Sequence, residues 1–153
     1  MTTLHDGATV PLLLPPQGGR VLFAGVRATN VDGCGMRLTV ELRDLASGQM
    51  RIDSRKIDLI EDANGWGVSA TSGAAGISAV IASFSNLAAC PNDWSTTDLN
   101  GHQFGLDVSI EDTNGRQAMK SFRVTPSCAQ PENFNMCLCI CKAGYMPGTP
   151  CPS

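Results

Sequence analysis

Apolar and polar residues alternate with a period of two along much of this chain. Met36, Leu38, Val40 and Leu42 are separated by Arg37, Thr39, Glu41 and Arg43, which predicts a strand with one buried and one wet face over Met36 to Asp44. Phe104, Leu106, Val108 and Ile110 alternate in the same way with Gly105, Asp107, Ser109 and Glu111. Asp112-Thr113-Asn114-Gly115 then reads as a hairpin turn of type I′, and the chain returns from Ala118 to Thr125 with Phe122 and Val124 facing in. Pro126 is expected to end that strand.

Other segments are strand-like but less regular. Thr9 to Leu14 is a short segment stopped by Pro15-Pro16. Arg20 to Val31 follows the Gln17-Gly18-Gly19 turn, with Val21 and Phe23 assigned to the buried side. Asp32-Gly33-Cys34-Gly35, Ala46-Ser47-Gly48 and Ala63-Asn64-Gly65 are turn signals. Met50 to Ile60 is a further strand whose alternation breaks between Ser54 and Ile57, the mark of a bulge or an edge. Within residues 68–89, the run 77–84 fits a buried strand or a short helix, and strand is preferred.

About seven strands with turns every 8–12 residues predict an all-β fold, an immunoglobulin-like antiparallel β-sandwich. The expected division is a sandwich over 1–127 and a Cys-rich extension over 128–153, docked on it. The interiors of the second and sixth predicted strands lack the cysteines that join the two sheets of antibody domains.

Composition sharpens this picture. The 153 residues suffice for one domain, and 42% hydrophobic content suffices for a core. Charged residues are 16%, against about 25% in an average domain, and 16 Gly with 9 Pro favour turns over long helices. A net charge of -3 argues against a nucleic-acid face. No apolar run reaches the roughly 18 residues of a membrane span.

The cysteines are Cys34, Cys90, Cys128, Cys137, Cys139, Cys141 and Cys151, five of them in the last 26 residues. That density, with no histidine near the cluster, points to disulfides in an oxidising compartment. All seven are candidates, and the odd number leaves at least one thiol free, intermolecular or paired elsewhere. If Cys137-Leu138-Cys139-Ile140-Cys141 is extended, all three sulfurs share one face and look outward, towards Cys128, Cys90 or Cys34. Such links would pin the extension to the sandwich. Met1 to Gly7 carries no secretory signal, so the expectation is a leader already removed, with Met1 an added start. Whether a lipid-bearing cysteine preceded residue 1 stays open.

Cys139-Ile140-Cys141-Lys142-Ala143-Gly144-Tyr145, followed by five residues and Cys151, resembles the second half of an epidermal-growth-factor-like module. In such modules the last two cysteines pair, so the resemblance implies Cys141–Cys151. Taken whole, the chain resembles secreted or lipoprotein-like domains of myxobacterial type. The segments Pro15-Pro16-Gln17-Gly18-Gly19-Arg20-Val21-Leu22-Phe23, Arg27-Ala28-Thr29-Asn30 through Cys34, and 139–145 carry that resemblance, together with eight Arg against three Lys. It implies export and a bacterial source, and brings no activity with it.

Catalytic chemistry finds little footing. His102 has Asp98 and Asp107 near it in sequence, but no Gly-x-Ser-x-Gly elbow exists. Glu61, Asp62 and Asn64, and separately Asp107, Glu111 and Asp112, read as turn chemistry rather than calcium ligands. No catalytic residue, metal ligand or cofactor is assigned, and no enzyme activity is expected. Trp66 and Trp94 are the candidate contacts for a ligand or partner, either of which would otherwise close the end of the core.

The expectation is a non-catalytic module, secreted or in the cell envelope, binding an unknown protein or polysaccharide at the cell surface. One alternative is a self-associating subunit of an extracellular fibre or surface assembly. Another is a metal-binding protein or enzyme built on the Cys-rich tail.

Overall fold

The computed structural model describes residues 3–70 and 83–151, and the 77–84 segment falls largely outside them. The fold is mostly β, with several sheets and, among the described residues, one short helix. The strands are β1 (Ala8–Leu12), β2 (Arg20–Ala24), β3 (Arg27–Ala28), β4 (Met36–Asp44), β5 (Met50–Ile57), β6 (Ile60–Glu61), β7 (Gly67–Val68), β8 (Ser85–Cys90), β9 (Phe104–Glu111) and β10 (Gln117–Cys128). A single 3-10 turn at Pro131–Asn133 leads into the helix α1 (Phe134–Ile140).

Five strands form the main sheet in the order β1-β10-β9-β4-β5. β1 runs parallel to β10, and the other pairings are antiparallel. Among the described residues this sheet has two ends, at β1 and β5, and does not close into a barrel. β2 pairs with β8, and β3, β7 and β6 make a small third sheet.

Register aligns the apolar alternation of neighbouring strands. Leu42 lies opposite Leu106, Val40 opposite Val108 and Leu38 opposite Ile110. Leu106 in turn faces Phe122, and Phe104 faces Val124. One face of the sheet is thereby apolar, since a strand's side chains repeat every second residue. Leu22 of β2 and Leu87 and Ala89 of β8 join the same buried cluster.

Four local expectations need correction. The predicted strand over Arg20 to Val31 is two strands, β2 and β3. A register shift between Arg20 and Val21 buries Val21 and Leu22 together, which turns Phe23 out to solvent. Pro126 does not end β10, which continues to Cys128. It lies past the last β9 pair, Phe104–Val124, and alongside β1, where its missing N–H breaks no β9 ladder bond. In the hairpin turn, only Gly115 has positive φ (79°), so the turn is not type I′. Gly115 N–H donates to Asp112 O at 3.0 Å, a type I turn closed by a left-handed glycine.

The irregular alternation of Met50 to Ile57 is explained by an edge. β5 pairs without a break to β4 and, among the described residues, has no hydrogen-bonded strand on its other side. Arg51, Asp53 and Arg55 occupy its inward positions, opposite Leu42, Val40 and Leu38, while Met50 and Ile52 face solvent. Inward charges on an edge strand oppose edge-to-edge pairing. Asp53 accepts hydrogen bonds from Ser85 Oγ (2.7 Å) and Asn86 N–H (3.0 Å), which ties the start of β8 to this edge.

Candidate functional site

The cysteines converge where β8 and β10 end. Cys90 is the last residue of β8 and Cys128 the last of β10. The disulfides are Cys90–Cys141, Cys128–Cys137 and Cys139–Cys151, and Cys34 is an exposed free thiol. The implied pairing Cys141–Cys151 is replaced, as is the extended reading of 137–141. The cause is α1: Cys141 N–H donates to Cys137 O at 3.0 Å, so those residues stand one helical turn apart on one face. Both are buried and turned to the body, whereas Cys139, about 200° around from Cys137, meets Cys151 on the outer side. Alternating cysteines select three different partners because the local period is 3.6, not 2. Cys34 leaves the set of disulfide candidates.

The two inner bridges touch. Cys137 Sγ and Cys141 Sγ are 3.8 Å apart, and the sulfurs of Cys128, Cys137 and Cys141 all lie within 4.8 Å of one another. Arg20 faces, across the β2–β8 pair, the partner of one cysteine of this cluster. It is 1% exposed and lies directly across from Cys90 in the β2–β8 register. Its Nη1 donates to Gly19 O (2.7 Å) and its Nη2 to Asn133 O (3.0 Å), while Nε has no partner. No carboxylate among the described residues pairs with it, and desolvation lowers its pKa. Gly19 (φ 77°) lets the backbones close here, since a Cβ would sit 2.6 Å from Cys90 O.

Backbone bonds seat the tail on the loop after β8. Asn92 is fully buried and is the hub. Its N–H donates to Ile140 O (2.8 Å), its Nδ2 to Cys141 O (3.2 Å) and Thr97 O (3.0 Å), and its O accepts from Tyr145 N–H (3.0 Å). Leu99 N–H donates to Cys141 O at 3.0 Å, and Asp98 accepts Ala143 N–H at 2.8 Å. The same loop is gripped by Asp44, a buried carboxylate at the end of β4. Asp44 accepts from Ala46 N–H, Ser47 Oγ, Thr96 N–H, Thr96 Oγ1 and Thr97 Oγ1 at 2.8–3.1 Å. Burial pushes its pKa up, and the hydrogen bonds outweigh that and hold it well below the usual carboxylate range. Sequence reading missed Arg20, Asp44 and Asn92, since a polar residue in a strand or a turn signals nothing until its burial is known.

The two tryptophans separate. Trp94 is 9% exposed, donates from Nε1 to Ala89 O at 2.9 Å and packs on Phe104 with ring centroids 6.0 Å apart. It belongs to the core, which removes it as a ligand contact. Trp66 is 37% exposed on the β6–β7 hairpin, with the Arg27 guanidinium 4.6 Å from its ring centroid. Asp62 fixes this arrangement. Its Oδ1 accepts Asn64 N–H (2.8 Å) and Trp66 N–H (3.1 Å), and its Oδ2 accepts Arg27 Nη2 (2.9 Å). Its pKa is lowered first by the Trp66 N–H bond, against burial, then by Asn64 and Arg27.

The remaining polar candidates serve turns or strands. Asp112 accepts from Asn114, Arg116 and Asp32 N–H. Burial raises its pKa, and these bonds together with the Arg116 side chain bring it down to about 2. Asp107 pairs with Arg43 at 3.0 Å. His102 is exposed, as is His5, and its Nδ1 hydrogen-bonds Asn100 O at 3.2 Å. Among the described residues no acid, base and nucleophile come together at His102. On the outer face of the main sheet, a groove of about 430 Å³ is lined by Arg37, Thr39, Ser109, Glu111, Gln117 and Met119 among others.

Three disulfides point to an oxidising, extracellular environment. No helix among the described residues is long and apolar enough to cross a membrane. Comparison of the chain with protein-family models, curated proteins and solved structures finds no match in any of the three.

Proposed function

We propose that the chain is a non-catalytic extracytoplasmic module of the cell envelope or the surrounding medium. It uses an immunoglobulin-like sandwich with a disulfide-held extension to present a binding surface to a cell-surface polysaccharide or protein. The observation that carries this reading is Trp66. A large aromatic side chain faces solvent on a short hairpin, held by Arg27, which Asp62 holds in turn. A rigid exposed aromatic on a loop is a typical recognition contact. The shared core of the main sheet and the β2–β8 pair supports the two-layer architecture, and the disulfides support the compartment.

Co-sedimentation with purified peptidoglycan and with insoluble glucans tests it, comparing wild type with Trp66→Ala. The expected result is retention of wild type on one of these polymers and at least a tenfold loss of retention in the variant. Equal retention of both overturns Trp66 as the contact, and no retention on any polymer overturns the polysaccharide partner.

A second reading, a self-associating surface subunit, is favoured by the exposed thiol of Cys34. It expects an intermolecular disulfide that Cys34→Ser abolishes. A monomer on non-reducing gels and in light scattering at high concentration rejects it.

A further inference from the structure

The sulfur cluster at the root of the tail is more than a pair of staples. The tail from Cys137 onward is fastened to the body by two bridges, Cys128–Cys137 to β10 and Cys90–Cys141 to β8. The third bridge, Cys139–Cys151, lies wholly within the tail. The two fastening bridges touch through Cys137 and Cys141, on one face of α1. Sulfurs four residues apart on a helix belong to Cα atoms about 6.2 Å apart, inside the roughly 4.4–6.8 Å that a disulfide spans. The Cβ atoms, about 5–6 Å apart at this spacing, must close to about 3.5–4.5 Å, and Cys141, the residue that caps α1 with non-helical φ and ψ, is where the backbone gives to let a Cys137–Cys141 bridge form.

We propose that these two bridges form a redox latch, a site for a dithiol reductant, in which a single two-electron reduction frees the tail from both anchors. A dithiol reaches the buried Cys128–Cys137 bridge on local opening of the tail and reduces it, becoming a cyclic disulfide and leaving two thiols. The Cys137 thiolate then attacks Cys141 Sγ, the Cys137–Cys141 bond forms, the Cys90–Cys141 bond breaks, and Cys90 leaves as a thiolate. Two electrons enter and one disulfide is lost. The surviving bridges, Cys137–Cys141 and Cys139–Cys151, both lie inside the tail, so no disulfide to β8 or β10 remains and only the peptide chain after Cys128 holds the tail covalently.

A second observation supports the direction of the exchange. The leaving thiolate appears opposite Arg20, a buried cation with an unpartnered Nε and no carboxylate among the described residues. Directly opposite residues in an antiparallel pair leave the same face with neighbouring Cβ atoms. A nearby guanidinium stabilises a thiolate and makes it the better leaving group. Arg20 acts here as a positioning charge and makes no bond to sulfur.

Peptide mapping tests the latch in the intact chain. Cys34 is first blocked by alkylation. Limiting dithiothreitol is added, the reaction is quenched with acid, new thiols are alkylated at low pH, and the product is digested with trypsin. Species with one disulfide reduced and Cys139–Cys151 retained are compared. The latch expects the 57–116 peptide to come free with Cys90 alkylated, while the 124–142 peptide carries one alkyl group on Cys128 and a Cys137–Cys141 bridge. Finding Cys128 and Cys137 both alkylated, with Cys90 still joined to Cys141, overturns it. So does alkylation of Cys90 and Cys141 with Cys128–Cys137 intact. In Arg20→Gln, which removes the positive charge that favours the Cys90 thiolate, the exchanged fraction is expected to fall on the order of tenfold. An unchanged fraction removes Arg20 from the latch. The wild-type map decides the latch itself even if that variant folds poorly.

Discussion

Replacing Cys90 and Cys141 together by alanine removes the bridge that closes the longest loop. The cysteines are 51 residues apart, against 9 for Cys128–Cys137 and 12 for Cys139–Cys151. In the chain-entropy treatment the longest loop contributes about 4 kcal/mol and each of the shorter ones about 2.5–3 kcal/mol. Keeping Cys128–Cys137 shortens the longest loop only slightly, and the dependence is logarithmic. Both removed side chains are buried, which adds about 1 kcal/mol of lost packing. The Cys90→Ala/Cys141→Ala variant should thus lose about 5 kcal/mol, and Cys128→Ala/Cys137→Ala about 1–2 kcal/mol less. Urea unfolding followed by tryptophan fluorescence reads both, with non-reducing peptide maps showing that the remaining bridges are native. Trp94, packed between Ala89 O and Phe104, is the reporting indole. Equal losses, or a larger loss from the short loop, would refute the reasoning. In that case the bridges would act through native packing rather than by constraining the unfolded chain.

Asp44→Ala strands five donors that now meet one buried carboxylate, and a loss of about 3–5 kcal/mol is expected in the same assay. The folded-state pKa of Asp44 is depressed, so its contribution is complete above the unfolded value near 4 and is lost as pH falls through the folded one. Wild-type stability should therefore drop more steeply than that of Asp44→Asn in acid unfolding below about pH 4. Leu38→Ala, fully buried on β4, should cost about 2–5 kcal/mol, whereas Ile52→Ala, 57% exposed on β5, should shift stability by less than about 0.5 kcal/mol. Trp94→Ala should cost about 3–5 kcal/mol, whereas Trp66→Ala should leave the urea midpoint close to wild type. A large loss from Trp66→Ala would assign it a structural role and weaken the recognition reading.

Period-two alternation was enough to place β4 and β9 almost residue for residue, because each buries one face against a shared core, and it found the start of β10, which runs past Pro126 to Cys128. At β5 the broken alternation read as a bulge or an edge, and among the described residues β5 ends the main sheet, with β4 on one side. Phe23 was read as buried because a register shift two residues earlier is invisible in one strand's sequence. Cys density, with His absent around it, was legible as an oxidising compartment. The connectivity was not.

By itself, then, the sequence determined a mostly β chain with a cysteine-bound tail, since strand periodicity and cysteine count are local or additive properties. Only the tertiary structure decided that 137–140 is helical and capped by Cys141, which rotates Cys139 away from its neighbours and sets every pairing in the tail. It also decided that Trp94 is core while Trp66 is surface, and that Arg20, Asp44 and Asn92 are buried. Burial and contact are relations between segments far apart in the chain, and the energy that selects them appears only when those segments meet.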